Sequence, residues 1–340
     1  MDLDALNKVA RKMAETGKGI LAADESSGTI KKRFDQINLE STENARRDYR
    51  EMLFRSEGMK HISGVILYDE TIWQKAADGT PLVKIIENAG AVPGIKVDEG
   101  TEAIAGTAGE LITRGLDNLS SRLPKYYEAG ARFAKWRAVI DPVAGRFSHT
   151  GILANAHALA RYANLCQANN IVPIVEPEVL MDGDNDIDAC YTVTQWVLKE
   201  TFQQLYFMNV ALEGIVLKPN MIVPGKKSAK KAGIAEIAEK TIKCLKDCVP
   251  SAVPGIAFLS GGQSDEEATA NLSAMNALGA LPWNLTFSYG RALQHPAIMA
   301  WAGKPENVKR AQAVFTHRAK MNGLATKGAY KAEMERELAA

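Results

Sequence analysis

Short apolar runs alternate with longer amphipathic stretches along most of the chain. Runs rich in β-branched residues predict buried strands, whereas stretches with apolar residues three or four positions apart predict helices. The predicted strands are residues 20–23, 64–68, 91–97, 133–140, 171–175, 214–217, 255–259 and 283–288. The helical stretches include residues 45–55, 152–168, 189–208, 234–248 and 266–278. Eight strands that alternate with helices imply parallel strands, so the pattern predicts an α/β fold, a TIM (β/α)8 barrel.

The sequence shows no internal boundary between domains. No linker rich in proline, glycine or serine divides it, and the predicted strands are evenly spaced through its middle. We therefore predict a single barrel domain over residues 1–340, with the charged residues 320–340 as a C-terminal tail. The opening residues predict an amphipathic helix with an acidic first turn, and they lack the basic start and apolar core of a signal peptide.

An open, doubly wound sheet would produce the same alternation of strands and helices. Its dinucleotide-binding form needs the motif G-x-G-x-x-G directly after a strand, and a phosphate loop needs G-x-x-x-x-G-K-[ST]. Neither motif occurs in the sequence. Their absence favours the barrel.

The overall composition argues against several classes of partner. Lys+Arg 41 against Asp+Glu 40 gives a net charge of +1, so no overall field attracts nucleic acid or an anionic membrane. No apolar run is long enough to span a bilayer. The four cysteines are too few and too scattered for a disulfide framework. We expect a cytoplasmic protein without a nucleic-acid or membrane partner.

Neither a metal nor another cofactor is expected from the histidine pattern. The five histidines show no H-x-x-x-H spacing, and none follows a predicted strand beside a cluster of carboxylates. They are His61, His149, His157, His295 and His317. The candidate chemistry therefore lies in the other polar residues at the strand ends.

The polar residue that ends the sixth predicted strand is Lys218, and Pro219 follows it. Proline has no N–H and stops the strand ladder, which leaves the lysine at the edge of a buried run. Burial disfavours an ammonium ion, so a lysine amine in such a place can attack a carbonyl carbon and form a Schiff base. Taken alone, the stretch also fits a lysine whose side chain extends to water.

Other charged residues follow the predicted strands in positions that bring them together. The carboxyl ends of barrel strands meet at one mouth, where barrel enzymes carry out their chemistry. Asp24 follows the first strand, and the two-residue period of a strand puts Lys135 and Arg137 on one face. The same period pairs Glu176 with Glu178. Each feature alone fits exposed ion pairs, but acids and lysines gathered at one mouth predict an acid–base site.

The last two predicted strands lead into loops that contain glycine, Ser260-Gly261-Gly262 and Ser288-Tyr289-Gly290-Arg291. Backbone N–H groups at the start of a following helix bind phosphate, and barrels often place a phosphate site after strands seven and eight. The guanidinium of Arg291 would add a bidentate contact. The two loops could also be ordinary turns, with Arg291 a surface residue that binds no phosphate.

Seven segments match the motifs of one family, in order and over nearly the whole chain. They are GKGILAADES (17–26), VPGIKVD (92–98), FAKWR (133–137), IVPIVEPE (171–178), LKPNM (217–221), FLSGGQS (258–264) and FSYGRALQ (287–294). These segments resemble class I fructose-bisphosphate aldolase. The resemblance implies a (β/α)8 barrel without a metal, a homotetramer, and reversible cleavage of fructose 1,6-bisphosphate to dihydroxyacetone phosphate and glyceraldehyde 3-phosphate in glycolysis.

The resemblance also implies roles for individual residues. Lys218 is similar to the Schiff-base lysine, Glu176 to the acid–base that forms and dehydrates the carbinolamine, and Asp24 to the carboxylate at the substrate 4-hydroxyl. Lys135 and Glu178 match a supporting lysine and a second catalytic glutamate. The pocket for the 1-phosphate would comprise Ser260, Gly261, Gly262, Ser288, Gly290 and Arg291. The opposite phosphate would lie near Ser26, Thr29, Arg33, Lys96 and Arg137.

Two departures from the family and two alternatives accompany this interpretation. Thr29 stands where relatives often have serine, which keeps the hydroxyl. The sequence lacks the terminal tyrosine that many relatives use in proton transfer, and Tyr330 lies too far from the end to take its role.

One alternative function is that of another lysine-dependent sugar-phosphate aldolase, similar to transaldolase. The other is a non-catalytic scaffold that holds an acidic partner through the basic residues 226–231.

Overall fold

The alternation of strands and helices closes into a barrel. The computed structural model describes residues 1–338. Its strands are β1 (Gly19–Ala23), β2 (Ile62–Leu67), β3 (Val92–Lys96), β4 (Thr101–Ala103), β5 (Leu111–Thr113), β6 (Phe133–Ile140), β7 (Val172–Val179), β8 (Val216–Leu217), β9 (Gly255–Phe258) and β10 (Asn284–Tyr289). All but β4 and β5 form the closed barrel, in the order β1-β10-β9-β8-β7-β6-β3-β2. The predicted (β/α)8 barrel is confirmed, as a single domain with a short C-terminal tail.

Helices surround the barrel and close its lower end. They are α1 (Leu3–Met13), α2 (Ser27–Asp35), α3 (Glu43–Phe54), α4 (Asp69–Trp73), α5 (Leu82–Asn88), α6 (Leu119–Glu128), α7 (His149–Ala168), α8 (Ile187–Phe207), α9 (Ile234–Cys248), α10 (Asp265–Ala277), α11 (Arg291–Trp301) and α12 (Val308–Ala325). The 3₁₀ helices are Glu57–His61, Leu212–Gly214, Pro305–Asn307 and Ala332–Leu338. Residues 320–325, predicted as the start of the tail, belong to α12, because Met321 and Ala325 are buried against the domain.

Strand β7 is longer than the sequence predicts. The prediction ended it at residue 175, yet it continues through Pro177 to Val179. It pairs with β6 along its whole length, but with β8 only as far as Val175. The nitrogen of Pro177 faces the side that β8 has left, where the Asn220 side chain accepts the N–H of Val179 at 3.0 Å. The missing donor of Pro177 therefore removes no bond between strands.

Strands β4 and β5 were not predicted. They form a small antiparallel pair between β3 and α6, and each has only three residues. Thr113 on β5 donates a hydrogen bond to the backbone oxygen of Arg137 at 2.7 Å, so this pair lies against the upper part of β6. Three residues are too few for a period-two pattern to stand out in a sequence.

The lower interior of the barrel is apolar, and α1 closes it. Leu6, Ala10 and Met13 of α1 pack with the inward side chains of the strands, and the predicted amphipathic helix is confirmed. The inward side chains are Ile20, Ala22, Ile66, Val92, Phe133, Val172, Ile174, Val216 and Ala257. The Phe133 ring approaches β3 so closely that a Cβ on Gly94 would lie 2.3 Å from it. This apolar floor leaves the carboxyl end of the barrel for polar groups.

Candidate active site

A polar layer lies directly above the apolar floor. Because side chains alternate along a strand, the inward series of Ile20 and Ala22 on β1 continues with Asp24. The same step of two residues leads to the other members of the layer, which are Lys135 after Phe133, Glu176 after Ile174 and Lys218 after Val216. The sequence prediction that these residues meet at one mouth of the barrel agrees with this geometry.

These four residues form a continuous series of ion pairs, which we call the interior ion chain (Asp24, Lys135, Glu176 and Lys218). The Nζ atom of Lys135 lies 3.1 Å from Oδ2 of Asp24 and 3.5 Å from Oε2 of Glu176. The other oxygen of Glu176, Oε1, lies 3.2 Å from Nζ of Lys218. Lys135, Glu176 and Lys218 are buried and the Asp24 side chain is only 13% exposed, so water screens these charges weakly. Glu176 is within reach of a proton on either lysine.

The charges of the interior ion chain stabilise one another. Burial by itself would raise the pKa of Asp24, but the positive charges of Lys135 and Lys218 outweigh it and lower this pKa to about 2. Burial would lower the pKa of Lys135, but Asp24 and Glu176 outweigh it and raise this pKa above that of an ordinary lysine. At neutral pH Asp24 is therefore an anion and Lys135 a cation.

Glu178 and Arg137 form a second ion pair, one step further along β7 and β6. The Nε atom of Arg137 donates to Oε2 of Glu178. Burial would lower the pKa of Arg137, but the adjacent charge of Glu178 raises it. The side chain of Arg137 is 41% exposed and that of Glu178 is 7% exposed, so the arginine remains open to solvent on one side. The structure thus joins a predicted catalytic glutamate to a predicted phosphate-binding arginine.

The loop after β9 is shaped by two glycines. Gly262 has a φ of +76°, a conformation that favours glycine. A Cβ on Gly261 would lie 2.3 Å from the terminal methyl of Met181, so the turn packs closely on that side chain. Ser260 before it is buried, and so is Ser288 at the end of β10. The Oγ atom of Ser288 makes no hydrogen bond within the described part of the chain, which leaves a buried hydroxyl available to a further partner.

Arg291 begins α11 directly after Gly290 and reaches back to the loop after β9. Its Nη1 lies 3.0 Å from Oδ1 of Asp265, and its Nη2 donates to the backbone oxygen of Gln263. Arg33 lies on this side as well, since its Nη2 is 3.5 Å from where a Cβ on Gly290 would be. The structure therefore places Arg33 beside Gly290 of the predicted 1-phosphate pocket, whereas the family resemblance assigned it to the opposite phosphate. The reason is topological: α2 follows β1, which pairs with β10 where the barrel closes.

Lys96 and two hydroxyls complete the predicted phosphate-binding residues. Lys96 ends β3, the neighbour of β6, which carries Arg137. Ser26 caps the N-terminus of α2 and accepts a hydrogen bond from the N–H of Thr29, and the two hydroxyl oxygens lie 3.1 Å apart. A hydroxyl cap at a helix N-terminus and a lysine at a strand end are each suitable contacts for an anion.

Every predicted phosphate-binding cation has a carboxylate partner among residues 1–338. The pairs are Arg33–Glu25, Lys96–Asp98, Arg137–Glu178 and Arg291–Asp265. The sequence analysis did not assign Glu25, Asp98 or Asp265 to the site. Asp98 carried a signal, because the two-residue period places it near Lys96. Glu25 and Asp265 carried no such signal. Glu25 precedes α2 and pairs with Arg33 near the end of that helix, and Asp265 on α10 pairs with Arg291 on α11.

The basic residues 226–231, considered as a scaffold surface, face acidic residues of the same chain. Lys226 pairs with Asp182 at 2.7 Å, and Lys230 pairs with Asp186 at 3.2 Å. Both lysines are already partly neutralised. The scaffold alternative therefore loses much of the free positive charge on which it rested.

Within residues 1–338, no group of three or more His, Cys, Asp or Glu side chains is arranged to hold a metal ion. None of the helices in that range combines the length and apolar character needed to cross a bilayer. All four cysteines are free thiols.

Sequence comparison with known proteins gives consistent matches. The family model described as "Glycolytic: Fructose-bisphosphate aldolase class-I" matches residues 5–340. A Xanthomonas campestris pv. campestris protein named "Probable fructose-bisphosphate aldolase class 1" is 52% identical over 333 residues, which cover 97% of this chain and 100% of that protein. "Fructose-bisphosphate aldolase 5, cytosolic" of Arabidopsis thaliana is 56% identical over 329 residues, 96% of this chain and 92% of that protein.

Structural comparison agrees with the sequence matches. A solved structure of fructose-bisphosphate aldolase from Plasmodium falciparum, in complex with TRAP and a small molecule inhibitor, has a TM-score of 0.96 and 49% identity to this chain. The match covers 97% of this chain and 96% of that one. These results favour fructose-bisphosphate aldolase over the alternative similar to transaldolase. The chain belongs to the class I fructose-bisphosphate aldolase family and is a lyase.

Proposed function

We propose that this aldolase cleaves fructose 1,6-bisphosphate through a Schiff base on Lys218. The observation that carries the proposal is the position of Lys218, buried at the end of a barrel strand and 3.2 Å from Glu176. Glu176 can accept a proton from the ammonium group and so release the amine as a nucleophile. The apolar floor beneath Lys218 limits access of water to that amine.

Imine formation then needs one acid–base group, and Glu176 is suited to it. The amine of Lys218 attacks the C2 ketone of the open-chain substrate, and the ketone oxygen becomes the hydroxyl of a carbinolamine. Glu176, protonated in the first step, returns its proton to that hydroxyl. Water leaves and a positively charged iminium remains. The Nζ atom of Lys135 lies 3.5 Å from the same carboxylate and helps to hold it in position for this transfer.

Asp24 is suited to the cleavage step. It accepts the proton of the 4-hydroxyl, the C3–C4 bond breaks, and the bonding electrons move to the iminium to form an enamine. Glyceraldehyde 3-phosphate leaves. A carboxylate with a pKa of about 2 is a weak base, so we infer that proton removal accompanies bond cleavage, which turns the alcohol into a carbonyl. Protonation of the enamine carbon and addition of water release dihydroxyacetone phosphate and free Lys218.

The two phosphates of the substrate would hold it across the mouth. Arg291, with the loops at Ser260 and Gly290, would bind the 1-phosphate, and Lys96 with Arg137 would bind the other. Each of these cations is paired with a carboxylate, which keeps its side chain ordered. A phosphate carries more charge than a carboxylate and can share or replace these contacts. Two fixed ends align the ketone with Lys218 and the 4-hydroxyl with Asp24.

The oligomeric state and the cellular location of the protein are part of the same proposal. The family resemblance favours a homotetramer, and the names of three Arabidopsis thaliana relatives contain the word cytosolic. We propose a cytoplasmic homotetramer with a sugar bisphosphate as substrate and without a nucleic-acid or membrane partner. Light scattering on the purified protein should give the mass of four chains, and the mass of one chain would contradict the assembly.

Reductive trapping tests the Schiff base directly. The protein is treated with borohydride in the presence of dihydroxyacetone phosphate, digested, and mapped by mass spectrometry. The peptide that contains Lys218 should gain the mass of the reduced adduct, and Lys218→Met should abolish the label. A label on Lys135 or Lys96 in the unmodified protein would overturn the assignment.

A further inference from the structure

The C-terminal tail is held against the domain by the carboxylate of Glu335. Its Oε2 lies 2.9 Å from Nε2 of His317, and its Oε1 accepts a hydrogen bond from Nη1 of Arg318. The hydroxyl of Tyr330 donates to the same carboxylate at 3.0 Å. Burial would raise the pKa of Glu335, but Arg318 outweighs it and lowers this pKa. Glu335 is therefore an anion that neutralises Arg318.

Arg318 lies between the tail and the start of α10. It is 4% exposed, and Glu335 is the one carboxylate with which it forms an ion pair in residues 1–338. Its Nη2 donates to Oγ1 of Thr269 at 2.7 Å and to the backbone oxygen of Asp265 at 3.4 Å. Asp265 is thus a neighbour of Arg318 while its own carboxylate is engaged with Arg291, 3.0 Å away.

We propose that Glu335 is a positioning residue for Arg291 and acts through Arg318 and Asp265. Glu335 occupies the charge of Arg318, so the Asp265 carboxylate remains free to hold Arg291 over the loop after β9. The inference rests on the proposed function, in which Arg291 binds the 1-phosphate. It gives the tail of this chain a part in substrate recognition that needs no terminal tyrosine.

The physical basis is competition between two arginines for one carboxylate. A buried cation without a partner is costly, because water cannot replace the lost ion pair. If Glu335 loses its charge, the carboxylate of Asp265, which already interacts electrostatically with Arg318, can take its place. Turning toward Arg318 would leave Arg291, whose side chain is 47% exposed, with only its hydrogen bond to the backbone oxygen of Gln263. Binding of the substrate 1-phosphate would then have to order the mobile side chain of Arg291, and this loss of entropy lowers the affinity for the substrate.

The test is the variant Glu335→Gln in the full-length chain. The KM for fructose 1,6-bisphosphate and the inhibition constant of inorganic phosphate should both rise by roughly three- to tenfold, with kcat unchanged. Fructose 6-phosphate lacks the 1-phosphate, so its kcat/KM should not change. Deletion of the residues after Tyr330 should reproduce these effects and leave single-turnover cleavage nearly intact. Glu333→Gln is the matched control, since Glu333 is exposed on the same 3₁₀ helix.

Replacing Arg318, which competes with Arg291 for the Asp265 carboxylate, should rescue the Glu335→Gln variant. In the double variant Arg318→Met with Glu335→Gln, no orphaned cation draws Asp265 away, and the KM should return toward that of the unmodified protein. Failure of this rescue, or equal losses with fructose 6-phosphate, would show a merely structural role and overturn the inference. Tighter phosphate binding in Glu335→Gln would also overturn it.

The variant Arg291→Ala separates this inference from the proposed function. If Arg291→Ala leaves the KM for fructose 1,6-bisphosphate unchanged, the assignment of the 1-phosphate pocket fails. If Arg291→Ala raises that KM but Glu335→Gln does not, only the positioning role of Glu335 fails.

Discussion

Lysines and carboxylates are paired in two regions of this molecule, with different consequences. One is the interior ion chain. The other, which we call the surface ladder, consists of the pairs Asp182–Lys226, Asp186–Lys230 and Asp188–Lys240. The side chain of Lys230 is 81% exposed, whereas those of Lys135 and Lys218 are 6% and 5% exposed. The residue types are the same, so the difference between the regions is burial.

Burial changes what an ion pair does. Water and salt screen an exposed pair, which contributes about 0–1 kcal/mol to stability. In the interior each charge needs its partner, so the groups set one another's protonation states. The surface ladder links the start of α8 and the loop before it to α9 and the loop before that helix, but only the interior ion chain can direct protons. Substitutions in the two regions should therefore differ in their effects on activity and stability.

Lys135→Met should break the interior ion chain at its centre. Asp24 and Glu176 would lose their shared cation, and we expect kcat to fall by roughly 10²- to 10⁴-fold. The free energy of unfolding should decrease by about 3–5 kcal/mol, because buried carboxylates are left with one cation fewer. Single-turnover kinetics and urea unfolding measure the two effects. Near-normal single-turnover cleavage by the Lys135→Met variant would show that the charge of Lys135 has no part in catalysis.

The stability that Asp24 contributes should depend on pH. Its pKa is about 2 in the folded protein and ~3.9 in the unfolded chain. A lowered folded pKa stabilises the protein above the unfolded pKa, and this stabilisation is lost as pH falls through the folded value. Asp24→Asn should therefore lower the free energy of unfolding by about 2–3 kcal/mol near pH 6 and by progressively less from pH 4 to pH 2. A difference independent of pH would contradict the ion pair.

Arg291→Ala tests a residue of intermediate exposure. It removes a charge-assisted contact worth about 1.5–3 kcal/mol, so kcat/KM for fructose 1,6-bisphosphate should fall roughly ten- to a hundredfold. Stability should change little, because the side chain is 47% exposed. Steady-state kinetics and thermal unfolding on the same preparation measure both. Unchanged kinetics would indicate that Arg291 is only a surface residue.

Lys230→Met is the matched surface change for Lys135→Met. It also removes one lysine from an acidic partner, yet we expect a change in unfolding free energy below about 0.5 kcal/mol and no change in kcat. The small effect should shrink further as salt concentration rises. A loss of several kcal/mol, or a loss of activity, would show that exposure does not distinguish the two regions.

The barrel and much of the polar layer can be predicted from the sequence alone. The alternation of apolar runs and helical stretches predicts parallel strands because each strand must be buried on both faces. The two-residue period then assigns Lys135 and Glu176 to the inward face of their strands. Lys218 followed by Pro219 identifies the end of a strand. These are local rules, and they need no knowledge of which strands are neighbours.

Only the tertiary structure decided which of these residues pair. Lys135 and Asp24 are 111 residues apart, and barrel closure brings them together. Arg33 was assigned to the opposite phosphate, because a sequence does not show that α2 lies beside β10. β7 extends past Pro177 since Asn220, rather than another strand, takes the next N–H.

The carboxylate partners of the phosphate-binding cations also could not be predicted from local sequence patterns. Glu25 and Asp265 carry no periodic signal, and Glu335 lies in a tail whose sequence shows only charge. Their roles depend on distance and burial, which arise when separate segments pack together. Local periodicity fixes the direction in which a side chain points, but the energy of a charge depends on everything that surrounds it. For that reason the sequence determined the set of chemical groups, and the fold decided which groups act on one another.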